Sequence, residues 1–243
     1  MRHIITATLL IVIQGLSGFV AQAATPSHLL TAEDINALRY VADPQISPEG
    51  DWVAHTVTTS DVVKDEEVTH IWMSSWDGKR TLQLTNSEQG ESTPRWSPDG
   101  KSLAFISARG DEDAPQIWLL DRAGGEATSL TEFPGSVVDY DWSPDGKQLA
   151  IIIADKDLSE PGKDEKDKTP PPIVIDRFYF KEDETGYLGT RRQHLYLFDI
   201  ATGNGELLTP GNYDEGYPSW SPDGNEIAFM SKRGEDPDRK SVV

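Results

Sequence analysis

The phrase Trp96-Ser97-Pro98-Asp99-Gly100 decides the fold, because the chain repeats it almost unchanged. The copies are Trp142-Ser143-Pro144-Asp145-Gly146 and Trp220-Ser221-Pro222-Asp223-Gly224, with a weaker one at Ile46-Ser47-Pro48-Glu49-Gly50. In each copy the proline presets φ for the second position of a turn, and the glycine takes the left-handed conformation at the fourth position. Each phrase therefore predicts a tight turn between two β-strands.

Four strands recur in each period of this repeat. The residues before the four serines are 46, 96, 142 and 220, so the last interval of 78 residues contains one period and an insertion. Apolar strands follow every turn, as at 103–106, and two further strands follow them, as at 116–120 and 127–130. Four strands in roughly 40 to 50 residues are typical of a β-propeller blade.

We therefore expect an all-β fold, a partial β-propeller with three complete four-stranded blades and the start of a fourth. Sheets that are apolar on both faces must be covered on both, and neighbouring blades supply that cover. The tryptophan repeated in each blade is expected to pack between blades, and the repeated Asp and Gly to be architectural. Because closed propellers have about four to eight blades, we interpret the sequence as a fragment of a longer protein.

The segments outside the repeat define the remaining organisation. Residues 1–23 resemble a secretory signal peptide, with a basic residue, an apolar run and a small-x-small cleavage site at 21–23. Residues 24–42 are predicted to be an amino-terminal extension with a short helix at 31–40, capped by Thr31 with Asp34 as its capping-box partner. The incomplete propeller is predicted to span 43–243. A blade insertion is expected at 155–192, and its part at 155–172 is expected to be mobile because it is charged and proline-rich.

Composition excludes several classes of function. The formal net charge is −19, or −20 once Arg2 is removed with the signal, and such a charge repels nucleic acid and anionic membrane surfaces. The chain has no cysteine, so neither a disulfide nor a thiolate metal site can form. No H-E-x-x-H, phosphate-binding glycine loop or calcium loop is present, and we expect no cofactor and no metal. The mature protein is predicted to be periplasmic or secreted, without a membrane anchor after signal cleavage.

Two stretches carry a resemblance to a known family. The opening at 38–50 and the insertion sequence at 175–196 resemble the secreted prolyl-oligopeptidase-family serine peptidases, in the acylaminoacyl peptidase and dipeptidyl peptidase branch. Blade sequences at 94–107 and 116–121 are similar to that branch as well. The resemblance implies a propeller placed over an α/β-hydrolase domain that cleaves oligopeptides with a Ser-Asp-His triad.

The resemblance implies that the chemistry lies outside this chain. No G-x-S-x-G nucleophile elbow is present, and the catalytic histidine of such hydrolases follows the serine, so no catalytic residue is assigned. His55, His70 and His194 are expected to be structural. Aminopeptidases of the family hold the substrate's free ammonium with propeller carboxylates, which makes Glu182, Asp183 and Glu184 candidates for substrate binding. The fragment alone is predicted to be inactive, and its parent to be a serine peptidase.

Alternatives that keep the propeller remain open. A TolB-like periplasmic propeller would be a protein-binding module without chemistry, although such proteins carry a separate α/β domain before the propeller. A degenerate propeller that acts as a free-standing binding protein is a third interpretation. A glycosidase is disfavoured, since the adjacent Asp and Gly of the turn phrase do not match the S-x-D-x-G-x-x-W box of sialidases.

Overall fold

A computed structural model of the protein describes residues 29, 31–110, 114–156, 175, 180–182, 186–187, 191–231 and 233. The predicted signal peptide lies outside these residues, and so does most of the stretch predicted to be mobile. The described part consists of one short helix and a series of β-strands that form antiparallel sheets.

The helix α1 spans Ala32–Asn36 and is shorter than predicted. The backbone N–H of Thr31 donates to Asp34 Oδ2 at 2.8 Å, so the predicted capping partner is correct. The predicted end of the helix at residue 40 is wrong, because Arg39 and Tyr40 pair with the next strand of the sheet. The first strand therefore begins at Arg39, four residues before the predicted start of the propeller.

Four sheets follow one another along the chain. The first blade contains β1 (Arg39–Ile46), β2 (Trp52–Asp61), β3 (Glu66–Ser75) and β4 (Thr81–Gln83). The second contains β5 (Ser92–Trp96), β6 (Ser102–Ser107), β7 (Gln116–Asp121) and β8 (Thr128–Ser129). The third contains β9 (Ser136–Trp142) and β10 (Gln148–Ala154), then an inserted hairpin, β11 (Lys181–Glu182) with β12 (Gly186–Tyr187), then β13 (Gln193–Asp199) and β14 (Asn204–Leu207). The fourth blade contributes β15 (Glu215–Trp220) and β16 (Ile227–Ser231).

This architecture confirms the predicted partial propeller. In each complete blade the strands lie side by side in chain order, apart from the inserted hairpin. Trp96, Trp142 and Trp220 each end the first strand of a blade, so they occupy equivalent positions as predicted. The first strands of consecutive blades contact one another.

The repeated turn phrase is held by the same hydrogen bonds in each blade. In the second blade Gly100 has φ +68° and its N–H donates to the carbonyl of Ser97 at 2.8 Å. The hydroxyl of Ser97 donates to Asp99 Oδ1 at 2.7 Å and accepts the N–H of Ser102 at 3.0 Å. These bonds recur at Ser143 and Ser221, which explains why Ser, Asp and Gly repeat together.

Alternate residues of each second strand face opposite neighbouring blades. Leu103 and Phe105 on β6 pack towards the first blade, against Ala54 and Ile71. Ala104, on the same strand, packs towards the third blade in a separate cluster. The indole Nε1 of Trp96 also donates to the carbonyl of Gln45 in the first blade at 3.1 Å, so this tryptophan packs between blades as predicted.

The turns of consecutive blades also touch. A Cβ added at Gly146 would lie 3.5 Å from Pro98 Cδ, and one at Gly224 would lie 3.6 Å from Pro144 Cδ. Each glycine thus packs against the proline of the preceding turn, and the turns form a row along one side of the blades. We call this side the turn face.

Substitution of a turn glycine is expected to destabilise the blades. Gly146→Ala should lower the free energy of unfolding by about 1–2 kcal/mol, because residue 146 has φ +71° and an L side chain is strained there. Gly216→Ala is the matched control, since its backbone is not left-handed and its added Cβ would meet nothing within 4 Å. Urea unfolding followed by tryptophan fluorescence measures the unfolding midpoint of both variants. Equal midpoints for the two variants would contradict the assigned role of the turn.

Candidate functional site

The side of the blades opposite the turn face carries the longer connections, and we call it the loop face. Because the strands are antiparallel, the second-to-third strand connections and the blade-to-blade connections all lie on this side. It therefore holds the segments at 62–65, 86–91 and 132–135, together with the insertion of the third blade. A surface built from several connections on a rigid scaffold is where binding residues are commonly placed.

A buried carboxylate organises the loop face between the first two blades. Glu91 precedes β5, and its side chain is fully buried. His70 Nδ1, on β3 of the preceding blade, lies 3.0 Å from Glu91 Oε2. The N–H of Ser87 donates to Oε1 at 3.0 Å, and the guanidinium of Arg109 forms an ion pair with the same oxygen.

These contacts keep Glu91 ionised. Burial raises the pKa of the carboxyl, but hydrogen bonds from His70, Thr85 and Ser87 to the charged form outweigh burial, and the net pKa is lowered. A carboxyl with a lowered pKa is a poor proton donor near neutral pH. Glu91 is therefore an anchor that joins two blades, and His70 has the structural role that was predicted for it.

The side chain of Arg109, besides its ion pair with Glu91, borders a cleft. Its guanidinium carbon lies 5.1 Å from the ring centre of Phe105 and 5.5 Å from that of Trp118, which are cation–π contacts. The cleft beside it has a volume of about 560 Å³ and is lined by Arg109, Gln116, Trp118 and Phe133 among others. Its lining mixes aromatic rings with donors and acceptors, which suits a peptide-like ligand better than a purely apolar one.

The same anchor recurs in the fourth blade but not in the third. Glu215 is buried there, and Arg233 Nη2 donates to its Oε1 at 2.6 Å. Among the described residues Glu215 Oε2 has no hydrogen-bond partner. The third blade has Val137 at the equivalent position. This pair was not predicted from the sequence, although two features signal it: a Glu five residues before the repeated Trp, and a Ser-x-Arg-Gly that begins at the last residue of the second strand.

A second group of charged residues lies on the first strands of three blades and contacts the first strand of the fourth. Arg95 on β5 donates to Asp43 Oδ2 on β1 at 2.8 Å. Asp139 and Asp141 lie on β9, and the pKa of Asp139 is raised, mainly by burial and further by the nearby negative charges of Asp43 and Asp141. Asp141 Oδ2 accepts the backbone N–H of Trp220 at 2.8 Å. This hydrogen bond connects the third blade to the fourth.

A strained backbone accompanies these first strands. Asp43, Thr93 and Tyr217 have φ values of 47°, 53° and 53°, and each lies three residues before the end of its strand. The pairing of each strand with its neighbour is irregular at this point. Such β-bulges re-aim side chains and are frequent beside functional sites.

The predicted carboxylates at 182–184 are only partly described. Glu182 belongs to β11, where its backbone pairs with Gly186, but its side chain is not described. Asp183 and Glu184 lie outside the described residues. Their proposed contact with a substrate ammonium stays a prediction.

The remaining histidines are in strands, as predicted. His194 Nδ1 lies 2.9 Å from the carbonyl oxygen of Thr209, and His55 Nδ1 lies 3.4 Å from that of Val53. Across the part of the chain that is described, no group of three or more His, Cys, Asp or Glu side chains could hold a metal ion. None of the described helices is long and apolar enough to cross a membrane.

Comparison with known proteins finds one matching family model and related peptidases. Residues 53–161 match the family model PD40, the TolB beta propeller domain. The chain is 33% identical over 212 residues to the uncharacterized peptidase YuxL of Bacillus subtilis. The alignment covers 86% of this chain and 32% of that protein. It is also 33% identical over 86 residues to dipeptidyl-peptidase 5 of Porphyromonas gingivalis, covering 35% of this chain and 12% of that protein.

Solved structures share the fold. Acylaminoacyl peptidase of Pyrococcus horikoshii superposes with a TM-score of 0.62 at 19% identity, over 84% of this chain and 30% of that one. A putative TolB from Agrobacterium tumefaciens gives a TM-score of 0.50 at 21% identity, over 80% of this chain and 60% of that one. The chain therefore resembles the propeller region of peptidases, and it spans about a third of the length of YuxL.

The Glu91 anchor leads to a pH-dependent prediction. Glu91→Gln should lower the free energy of unfolding by about 1–3 kcal/mol near neutral pH, because the Arg109 and His70 donors lose a charged acceptor. The folded pKa of Glu91 is lowered, so its contribution is fully present above the ordinary value of 4.5 and is lost as pH falls through the folded value. The difference between wild type and variant should therefore shrink below about pH 4.5.

Glu88→Gln is the matched control, since Glu88 is exposed in the same connection. Urea unfolding between pH 3.5 and 7 measures the free energy of unfolding of the wild type and both variants. A difference between wild type and Glu91→Gln that stays constant over this range would show that the charge of Glu91 does not carry the anchor.

Proposed function

We propose that this chain is the substrate-gating propeller of an exported serine peptidase that cleaves oligopeptides. The observation that carries the proposal is the 33% identity to a peptidase over 86% of this chain. The mixed, partly charged loop face supports it, because a peptide offers both backbone polar groups and apolar side chains. In this proposal the missing α/β-hydrolase domain supplies the reaction and the propeller selects the substrate.

The described residues support this division of labour. Acyl transfer needs a nucleophile, a base that activates it and an oxyanion hole. Glu91 and His70 are held against each other and against Arg109, and His194 is bonded to a backbone carbonyl. Glu91 and the three histidines of the strands are thus engaged in structural contacts, which suits a selecting module better than a reacting one.

Gating requires that the blades keep their arrangement. The contacts Glu91–His70 and Arg95–Asp43, together with the buried apolar faces, oppose separation of neighbouring blades. A rigid ring excludes folded proteins from a site that it covers and admits short flexible peptides. The proposed substrate class is therefore the oligopeptide.

The activity test compares this chain with its longer parent. The parent should hydrolyse aminoacyl or dipeptidyl chromogenic substrates and lose this activity to a serine-reactive phosphonate, whereas the 243-residue chain should show no turnover. The parent's kcat/KM should also fall as peptide substrates lengthen towards folded proteins. Phosphonate-sensitive turnover by the isolated chain, or equal cleavage of short peptides and folded proteins, would contradict the proposal.

The candidate carboxylates have a separate test in the parent. If Glu182, Asp183 and Glu184 hold the substrate's ammonium, replacing all three by their amides should raise KM about tenfold or more for peptides with a free amino terminus. Peptides with an acetylated amino terminus should be unaffected. Glu88→Gln is the control, since Glu88 is an exposed acid on the loop face that does not line the cleft beside Arg109. An equal rise of KM for free and acetylated peptides would remove these residues from the binding site.

A protein-binding module without chemistry is the second candidate function. The match of residues 53–161 to the TolB propeller family and the shared fold of the Agrobacterium protein favour it. The coding DNA beyond residue 243 separates the two candidates. A continuing frame with a G-x-S-x-G elbow supports the peptidase, and further blades followed by a stop support the binding module.

Export is part of the proposal. The support is the basic residue, apolar run and small-x-small site within residues 1–23. Cleavage after Ala23 would release a mature protein that begins at Ala24 in the periplasm or outside the cell.

A further inference from the structure

The hairpin of β2 and β3 extends beyond the rest of the first blade. Each of these strands has ten residues, whereas β6 and β7 of the second blade have six each. Counted from the turn glycines, His70 corresponds to Gln116, at which the pairing of β7 with β6 begins. In the first blade four more pairs follow on the loop face, up to Asp61 with Glu66. We call residues 58–69 the hairpin extension, and the complete second blade shows that stacking of the blades does not require it.

The hairpin extension forms one wall of a polar cleft on the loop face. The cleft has a volume of about 480 Å³, and the connection at 86–88 forms its other wall. Asp61 and Glu66 are paired across the two strands, so their side chains lie on the same side of the hairpin. All residues that line the cleft fall within 59–70 and 86–88, where the structure describes every residue.

His70 lies where the hairpin extension begins, and its ring lines the cleft with 19% of the side chain exposed. Its Nδ1 is 3.0 Å from Oε2 of the buried Glu91. Because the ionised Glu91 can only accept, Nδ1 carries the hydrogen and donates it. In the neutral ring Nε2 is then an acceptor, and among the described residues Nε2 has no hydrogen-bond partner. The buried carboxylate therefore fixes the tautomer that offers a lone pair at Nε2 to a ligand.

Negative charge predominates in this cleft. Three carboxylates line it, those of Asp61, Glu66 and Glu88, against the single ammonium of Lys64. Glu66 and Glu88 are exposed, so a ligand can reach them. A cationic donor makes charge-assisted hydrogen bonds to carboxylates, and it also suits the lone pair of a neutral histidine. The cleft therefore favours a cation that donates hydrogen bonds.

Apolar side chains in the same cleft distinguish between cations. Val62 and Val68 line it together with the charged groups. Lysine and arginine side chains carry their charged head on an aliphatic stem, and this stem is commonly buried along apolar surface. A terminal ammonium or an inorganic cation has no such stem. The combination of carboxylates and valines therefore fits a basic side chain best.

We propose that this cleft binds a lysine or arginine side chain of a peptide segment, with the charged head on His70 Nε2 and Glu66 and the stem against the two valines. Glu91 is a positioning residue in this site, because it acts through the ring of His70. The proposal concerns binding by the first two blades and does not depend on peptidase activity.

The ligand test uses a pentapeptide of four glycines around a central arginine, acetylated at its amino terminus and amidated at its carboxyl terminus. A fluorescently labelled copy should bind the 243-residue chain, and citrulline in place of arginine should weaken binding at least about tenfold, because citrulline keeps the shape and loses the charge. Pentaglycine amide with a free amino terminus should also bind at least about tenfold more weakly, because it has no stem. Equal binding of the arginine and citrulline peptides, or pentaglycine amide that binds as tightly as the arginine peptide, would overturn the proposal.

Charge variants of the hairpin extension test the protein side. Glu66→Gln should weaken binding of the arginine peptide at least about fivefold, because a charged acceptor is lost. Glu67→Gln is the matched control and should change binding less than about twofold, because Glu67 is exposed, points to the opposite side of the same strand and does not line the cleft. Lys64→Gln should tighten binding, since it removes the cation of the cleft. Equal effects of the two glutamate substitutions, or weaker binding by Lys64→Gln, would contradict the proposed cation site.

His70→Asn tests the lone pair at Nε2. The asparagine amide can donate to Glu91 in place of Nδ1, but it has no atom at the position of Nε2. Binding of the arginine peptide should weaken at least about fivefold while the urea unfolding midpoint stays close to that of the wild type. If the variant unfolds more easily, the nitrogen NMR shift of His70 Nε2 in the wild type decides instead, and it should respond to the arginine peptide and not to the citrulline peptide. Undiminished binding by a folded variant, or a shift that does not respond to the arginine peptide, would remove His70 from the site and overturn the proposal.

Discussion

Burial of each blade on both of its faces is the constraint on which the rest of this structure depends. A sheet whose second strand reads Leu103-Ala104-Phe105-Ile106 has apolar side chains on both sides, since successive side chains alternate. One side is covered by the preceding blade and the other by the following blade. The blades are therefore stable only as a stack, and the spacing of the turn phrase sets how many strands each member contains.

Contacts at both ends of the strands hold this stack in register. On the turn face, each turn glycine packs against the proline of the turn before it, so identical turns can follow one another. On the loop face, Glu91 bonds His70 of one blade and Arg109 of the next. Between these ends, Arg95 joins β5 to β1 through Asp43. The turn face is uniform and the loop face varies between blades, so the loop face is where individual binding properties can arise.

The fold could be predicted from the sequence further than the site could. The turn phrase predicted the blades, the equivalent tryptophans and the left-handed glycines, because a turn depends on residues close together in the chain. The helix was predicted to end four residues too late, at residue 40 instead of Asn36, because pairing of Arg39 and Tyr40 with β2 overrides their local preference. The Glu91–Arg109 pair was missed, although its members recur as Glu215 and Arg233, because each looks like an ordinary surface charge until β5 is paired with β6.

The sequence by itself determined the class of fold, the number of strands in each blade and the position of each sharp turn, since these follow from local backbone preferences and from the two-residue period of strands. Only the tertiary structure decided which charges meet. Asp43 and Arg95 are 52 residues apart in the chain, and His70 and Glu91 belong to different blades. Contacts of this kind depend on how one twisted sheet lies against the next, and local residue preferences contain no information on that placement.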